Sequence, residues 1–154
     1  MELVLKSDSE ERSLSLGVAI GAALSPGDLV CLEGELGTGK TVLVRGIARG
    51  RGYHGPVTSP TFTIIHAYPE ALLCHVDAFR LRSAHELLDA GIEEYLDDWT
   101  CAVEWALNVR GALPSEVLEV ALEFGDGEDE RLIVLEGTGR YERLVGLVEE
   151  RAHG

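Results

Sequence analysis

Eight consecutive residues, Gly34-Glu35-Leu36-Gly37-Thr38-Gly39-Lys40-Thr41, hold the densest chemistry in the chain. Their spacing, G-x-x-x-x-G-K-T, is the Walker A pattern of a phosphate-binding loop. Glycines at 34, 37 and 39 let the backbone curl and turn several N–H groups inward as a nest for phosphate oxygens. In this reading Glu35, Leu36, Gly37, Thr38 and Gly39 line the cradle, and Val42 follows in the first turn of the next helix. Lys40 reaches the β- and γ-phosphates as a mobile point charge, and Thr41 gives its hydroxyl to Mg²⁺. The bland alternative is a tight glycine turn with no ligand.

A loop of this kind needs an acidic partner at the end of a neighbouring buried strand, to hold Mg²⁺ directly or through water. His75-Val76-Asp77 closes one apolar run and Val103-Glu104 closes another. Ligands of open α/β sheets bind beyond the C-terminal strand ends, so both carboxylates are expected to face the crevice of the loop. Asp77 is the Walker B candidate; Glu104 completes the metal shell or orients the attacking water. Both are also compatible with ordinary solvated acids at strand ends. Thr61, fixed by Pro60, is positioned to sense a γ-phosphate as switch loops do; on the residues alone an ordinary turn explains it equally well.

These groups require a scaffold, and the hydrophobic pattern predicts one. Leu29-Val30-Cys31-Leu32 reads as a strand buried on both faces, and residues 41–51 read as the helix that follows the loop. Leu3-Val4-Leu5 is a short strand. Ser7 with Glu10 forms a capping box for a helix through Leu14, Val18 and Ala22, whose Gly17 and Gly21 allow close packing against a sheet. Residues 62–68 and 71–76 make two strands joined at Pro69-Glu70. Ser83 caps a helix through Leu87, Leu88, Ile92 and Leu96, interrupted at Gly91, and Cys101-Ala102-Val103 is a third buried strand. From Val117 to Phe124 apolar and acidic residues alternate, a strand with one wet face. Gly125-Asp126-Gly127 turns it into a returning strand, 131–136. Tyr141, Leu144, Val145 and Val148 mark a closing helix.

The fold class is therefore α/β, with a 154-residue chain forming a single domain. The sequence has no apolar run of eighteen residues and no basic-then-apolar leader, so the expectation is a cytoplasmic protein with no membrane contact. Cys31, Cys74 and Cys101 each sit in an apolar run, as reduced buried thiols do. The net charge is −14, which repels nucleic-acid phosphate unless basic residues cluster. Arg45, Arg49 and Arg51 are the main cluster, on a helix face better suited to solvent or a partner protein than to RNA.

Four segments in order, Leu32–Thr41 (L-E-G-E-L-G-T-G-K-T), Ser59–Ile64 (S-P-T-F-T-I), His75–Leu81 (H-V-D-A-F-R-L) and Val103–Trp105 (V-E-W), resemble the bacterial TsaE (YjeE) family. That family is the ATPase component of tRNA threonylcarbamoyladenosine synthesis. The resemblance implies a P-loop NTPase-like three-layer fold, with a mixed parallel and antiparallel sheet flanked by helices. It implies slow, Mg²⁺-dependent ATP hydrolysis serving the TsaB and TsaD proteins, which modify N6 of the adenosine beside the anticodon; direct tight tRNA binding by this chain is not expected. Residue by residue, it assigns Lys40 and Thr41 to phosphate and Mg²⁺, Asp77 and Glu104 to metal and water, Thr61 to the switch, and Trp105 to the γ-phosphate region. His75 and Arg80 fall in a matching motif without an assigned chemistry. The adenine base is expected between the start of the first helix near Glu10 and the hairpin near Glu128. Ala78, Phe79 and Ala106 depart from the usual pattern, and Phe79 keeps the ring while losing a hydroxyl.

A small-molecule kinase is the main rival, with Arg80 and Arg82 as its phosphate-covering groups, but 154 residues show no lid-like insertion. A GTP switch lacks its N/T-K-x-D motif, since Lys6 and Lys40 are the only lysines.

Overall fold

The segments Leu29–Glu33 (β2), Leu73–Asp77 (β4) and Thr100–Glu104 (β5) are buried along almost their whole length, which a strand achieves only with both faces covered. In the computed structural model, which describes residues 1–57 and 64–153, these strands form the centre of one seven-stranded sheet. Its other strands are Glu2–Ser7 (β1), Ile65–Tyr68 (β3), Leu118–Phe124 (β6) and Arg131–Glu136 (β7). The order is β1-β7-β6-β2-β5-β4-β3. β6, β2, β5 and β4 run parallel; β7 and β1 on one side and β3 on the other are antiparallel to their neighbours. The expected mixed three-layer α/β architecture is present.

Helices Glu10–Ala23 (α1), Lys40–Gly50 (α2) and Tyr141–His153 (α4) bury their apolar sides in a core cluster that includes Leu16, Ile20, Leu43, Ile47, Val120, Ile133 and Val145. The short helix Ala84–Asp89 (α3) and the 3₁₀ segment Ala106–Ala112 share the second cluster, with Cys31, Cys74, Val76, Cys101 and Val103 from the sheet. On that second side, β6 shows its wet residues Glu119 and Glu123, as the alternation predicts.

Several local expectations change. The N-cap of α1 is Ser9, whose side chain accepts a hydrogen bond from the Arg12 N–H at 3.0 Å. Ser7 instead ends β1, buried, with its Oγ 2.7 Å from that of Ser13. Gly17 and Gly21 face a helix and not the sheet: a Cβ on Gly17 would lie 2.5 Å from the Leu43 carbonyl oxygen, and one on Gly46 of α2 would lie 2.3 Å from that of Leu14. Bare backbone on both sides lets α1 and α2 touch. β4 starts at Leu73, because Pro69–Ala71 forms a 3₁₀ turn and Leu72 adopts φ 47°. The helix expected through Leu96 stops at Asp89, since Gly91 enters the left-handed region at φ 95° and only a 3₁₀ turn, Ile92–Glu94, follows. Ser83 makes no side-chain cap bond. The three cysteines are buried thiols as expected, and register sets Cys74 directly opposite Cys101.

Candidate functional site

The loop 34–39 runs from the C-terminal end of β2 into the start of α2, where Gly39 is the N-cap at φ 99° and ψ 28°. A Cβ at Gly39 would meet nothing within 4 Å, so its backbone angle, not space, calls for glycine. The α2 N-terminus has no side-chain cap bond and no acidic residue in its first turn, whereas α1, α3 and α4 all carry glutamate there. The positive dipole end of this helix is thus not offset by a capping side chain or by an acid of its own first turn, which suits it to an anion. Thr38, buried, braces the loop by donating its hydroxyl to the Glu35 carbonyl at 2.7 Å. Glu35, Leu36 and Gly37 form the exposed tip, and Thr41 and Val42 are half-buried in the first turn of α2.

Lys40 is only 6% exposed. Its Nζ donates to the carbonyls of Gly34 and Glu35, the latter at 3.1 Å, and lies over the Trp105 ring. Burial pulls the ammonium below the ordinary lysine range, against the opposing fields of Glu104, Glu33 and Asp77. The lysine is therefore held ready inside the loop, in a negative surround.

The two predicted acids come from adjacent parallel strands and are register partners, Asp77 of β4 with Glu104 of β5. Asp77 is half-buried, and its Oδ1 accepts the Phe79 N–H at 3.0 Å. Glu104 is only 3% exposed, so the reading as a freely solvated strand-end acid does not describe it. Its Oε2 lies 2.6 Å from Nε2 of the fully buried His75, whose Nδ1 has no hydrogen-bond partner among the described residues. Trp105 follows at φ 58°, its N–H bonded to the Leu32 carbonyl at 3.1 Å and its ring 5.0 Å from that of half-exposed Phe79. Arg80 is exposed. Thr61 and its Ser59-Pro60 neighbours lie outside the described residues.

A cavity of about 210 Å³ opens beside the loop, lined by Ser9, Glu10, Ser13, Gly37, Thr38, Gly39, Val42, Asp129 and Arg131. It adjoins the start of α1 and the β6–β7 hairpin; Glu10 is in its lining, and of the hairpin acids Asp129, not Glu128, lines it. Arg131 donates to the Gly37 carbonyl at 3.4 Å and stacks 4.8 Å over the Phe124 ring, tying the hairpin to the loop. No short-range signal marks this arginine. Glu33 was also overlooked, although the strand-end rule that selects Asp77 and Glu104 selects it too. Its Oε1 accepts the Leu107 N–H at 3.1 Å, and burial holds its carboxyl above the ordinary range. The basic cluster on α2 is partly spent: Arg45 pairs with Glu10 at 3.2 Å and Arg51 donates to the Leu24 carbonyl, leaving Arg49 exposed.

Among the described residues no three His, Cys, Asp or Glu side chains converge as a metal cage. The donor set beside the loop, one hydroxyl and two carboxylates, still fits Mg²⁺, which keeps its waters and binds through one or two carboxylates plus substrate phosphates. Among the described residues no helix is long and apolar enough to cross a membrane.

Residues 7–133 match the family model described as "Threonylcarbamoyl adenosine biosynthesis protein TsaE". The chain is 37% identical over 147 residues to the tRNA threonylcarbamoyladenosine biosynthesis protein TsaE of Bacillus subtilis, covering 93% of this chain and 91% of that one. It is 39% identical over 132 residues to the protein of the same name from Streptomyces coelicolor, covering 80% and 89%. The crystal structure of Bacillus subtilis YdiB superposes with a TM-score of 0.81 at 32% identity, over 97% of this chain and 95% of that one.

Proposed function

This chain belongs to the TsaE family of tRNA threonylcarbamoyladenosine biosynthesis, and from that premise we propose that it binds ATP with Mg²⁺ and hydrolyses it slowly in the service of TsaB and TsaD. The observation that carries the proposal is the convergence on one strand-end crevice of Lys40, the uncapped α2 N-terminus and the Asp77–Glu104 pair. Phosphoryl transfer asks the protein mainly for positioning and charge, and this crevice has the groups for both.

The loop N–H groups and Lys40 hold the β- and γ-phosphates, and Thr41, Asp77 and Glu104 hold the metal and its waters. A Mg²⁺ held by Thr41, Asp77 and Glu104 would supply charge neutralisation for the phosphate groups. The base lies in the cavity between Glu10 and Asp129. Glu104, shielded from bulk water, orients the attacking water, and Thr61 senses the γ-phosphate. Trp105 packs against the nucleotide side of Lys40. Slow turnover is expected because Arg131, the arginine that lines the cavity beside the loop, is already bonded to hairpin carbonyls and to Gly37. Docking of TsaB and TsaD near Thr61 and Trp105 completes the site. The transfer of threonylcarbamoyl to tRNA belongs to those partners.

The test is a thin-layer assay of labelled ATP with the purified chain, alone and with TsaB and TsaD. Free phosphate, released faster with the partners, is the expected product. Asp77→Asn and Glu104→Gln should depress hydrolysis more than nucleotide binding, because backbone N–H groups make most of the binding. Wild-type hydrolysis in both variants removes the metal and water roles, and phosphate on a metabolite indicates a kinase instead.

A further inference from the structure

His75 is costly where it stands. It is fully buried, and its Nδ1 has no hydrogen-bond partner among the described residues. A leucine would fill a similar volume without desolvating a polar ring. Among the described residues the one hydrogen bond of the imidazole is to Glu104 Oε2, at 2.6 Å. That length lies at the short end for N–H···O contacts, where charge-assisted bonds are found.

Strand register explains how the two meet. His75 is paired across the ladder with Ala102, and Asp77 with Glu104. The imidazole and the carboxylate are therefore diagonal neighbours, one residue pair apart on the same sheet face. With a carboxylate as acceptor, the proton of this bond belongs on Nε2, and Nδ1 carries only a lone pair. A ring fixed in that tautomer occupies Oε2 and removes the rotational freedom of a carboxylate whose field already acts on Lys40.

We propose that His75 is a positioning residue for nucleotide hydrolysis: its Nε2–H holds Glu104 Oε2 so that Oε1 faces the phosphate crevice and aligns the attacking water. The role rests on the ATPase reading given above. Outer-shell partners of this kind typically contribute about ten- to a hundredfold to activity.

Three measurements test it on the full chain with TsaB and TsaD. His75→Leu should lower kcat of the folded protein about ten- to a hundredfold while KM for ATP stays within about threefold; the melting temperature falls as well, because Glu104 Oε2 is left buried without its donor. His75→Gln, whose amide nitrogen sits near the position of Nε2, should recover a large part of kcat. Unchanged kcat in His75→Leu, or a loss confined to folding and nucleotide binding, overturns the proposal, as does failure of glutamine to do better than leucine. Nitrogen-detected NMR of the nucleotide-free wild-type protein supplies a readout independent of activity and of variant folding. The expected spectrum shows the Nε2–H tautomer, with its proton resonance shifted in Glu104→Gln; an Nδ1–H tautomer overturns the proposal. If wild-type protein with its partners releases no phosphate, the ATPase reading fails, whatever tautomer the spectrum shows.

Discussion

The Lys40 Nζ stands 4.3 Å from the centroid of the Trp105 ring, while donating to the carbonyls of Gly34 and Glu35. The ammonium of the phosphate loop is thus satisfied within the protein, between its own loop and the residue after Glu104. On the proposed ATP-binding reading, a nucleotide would have to draw it from those carbonyls.

Replacing Lys40 with alanine should therefore remove a charge-assisted phosphate contact of about 1.5–3 kcal/mol. ATP affinity is expected to fall about tenfold to a hundredfold on that basis. Calorimetric titration of Lys40→Ala decides the matter, and unchanged ATP binding would show the site to be misassigned.

Two helical glycines, one in the contact between α1 and α2 and one in α4, should respond oppositely to substitution. At Gly46 an added methyl would lie 2.3 Å from the Leu14 carbonyl and 2.8 Å from the Gly17 Cα, both backbone atoms that cannot swing aside. Gly46→Ala should cost at least about 1–3 kcal/mol. At Gly146, within α4, a Cβ meets nothing within 4 Å, so Gly146→Ala should add about 0.5–1 kcal/mol through helix propensity. Urea unfolding of the two variants measures both signs. A neutral Gly46→Ala would mean that the helices are farther apart than described.

Burial raises the Glu33 carboxyl above its ordinary value of 4.5, although the Leu107 and Ala106 N–H groups and Lys40 favour its charged form. The folded state therefore holds this proton more tightly than the unfolded state. Its contribution to stability is fully present below about pH 4.5 and is lost as pH rises through the elevated value. Glu33→Gln removes this dependence and leaves a carbonyl to accept the Leu107 N–H. Relative to wild type, the variant should gain stability as pH rises above 4.5 through the elevated value. Denaturant midpoints across that range provide the measurement, and parallel curves for the two proteins would refute the shift.

The isolated chain should bind tRNA weakly, given a net charge of −14. Of its arginine cluster, Arg45 and Arg51 are already engaged by Glu10 and the Leu24 carbonyl. Too few free cations remain to neutralise several phosphates at about 0.15 M salt. Filter binding over a salt series is the check. Sub-micromolar affinity with a steep salt slope, lost in Arg45→Glu and Arg49→Glu, would reverse this expectation.

What the residues determine by themselves is local. Gly39-Lys40-Thr41 between an apolar run and a helical period specifies strand, loop and helix N-terminus, since each depends on neighbours a few positions away. Asp77 and Glu104 were visible for the same reason, as acids that close runs too apolar to lie at an edge. Even short-range chemistry had limits. Ser7 and Ser9 lie two residues apart before the same helix, and only the backbone shows that Ser9 caps it while Ser7 is drawn into β1. Thr61 lies outside the described residues.

Tertiary structure decided what meets across the sheet. No local pattern states that β4 lies beside β5, and that adjacency alone brings His75 to Glu104 and Cys74 to Cys101. The hairpin register likewise carries Arg131 to Gly37, ninety-four positions away. Gly17 and Gly21 announced close packing, but their partner proved to be α2 and not the sheet. Hydrophobic periodicity tells a residue which face to bury and says nothing about which strand or helix will cover that face. Strand order is set by the crossover connections and by joint burial of both sheet faces, and these interactions exist only once the whole chain has folded.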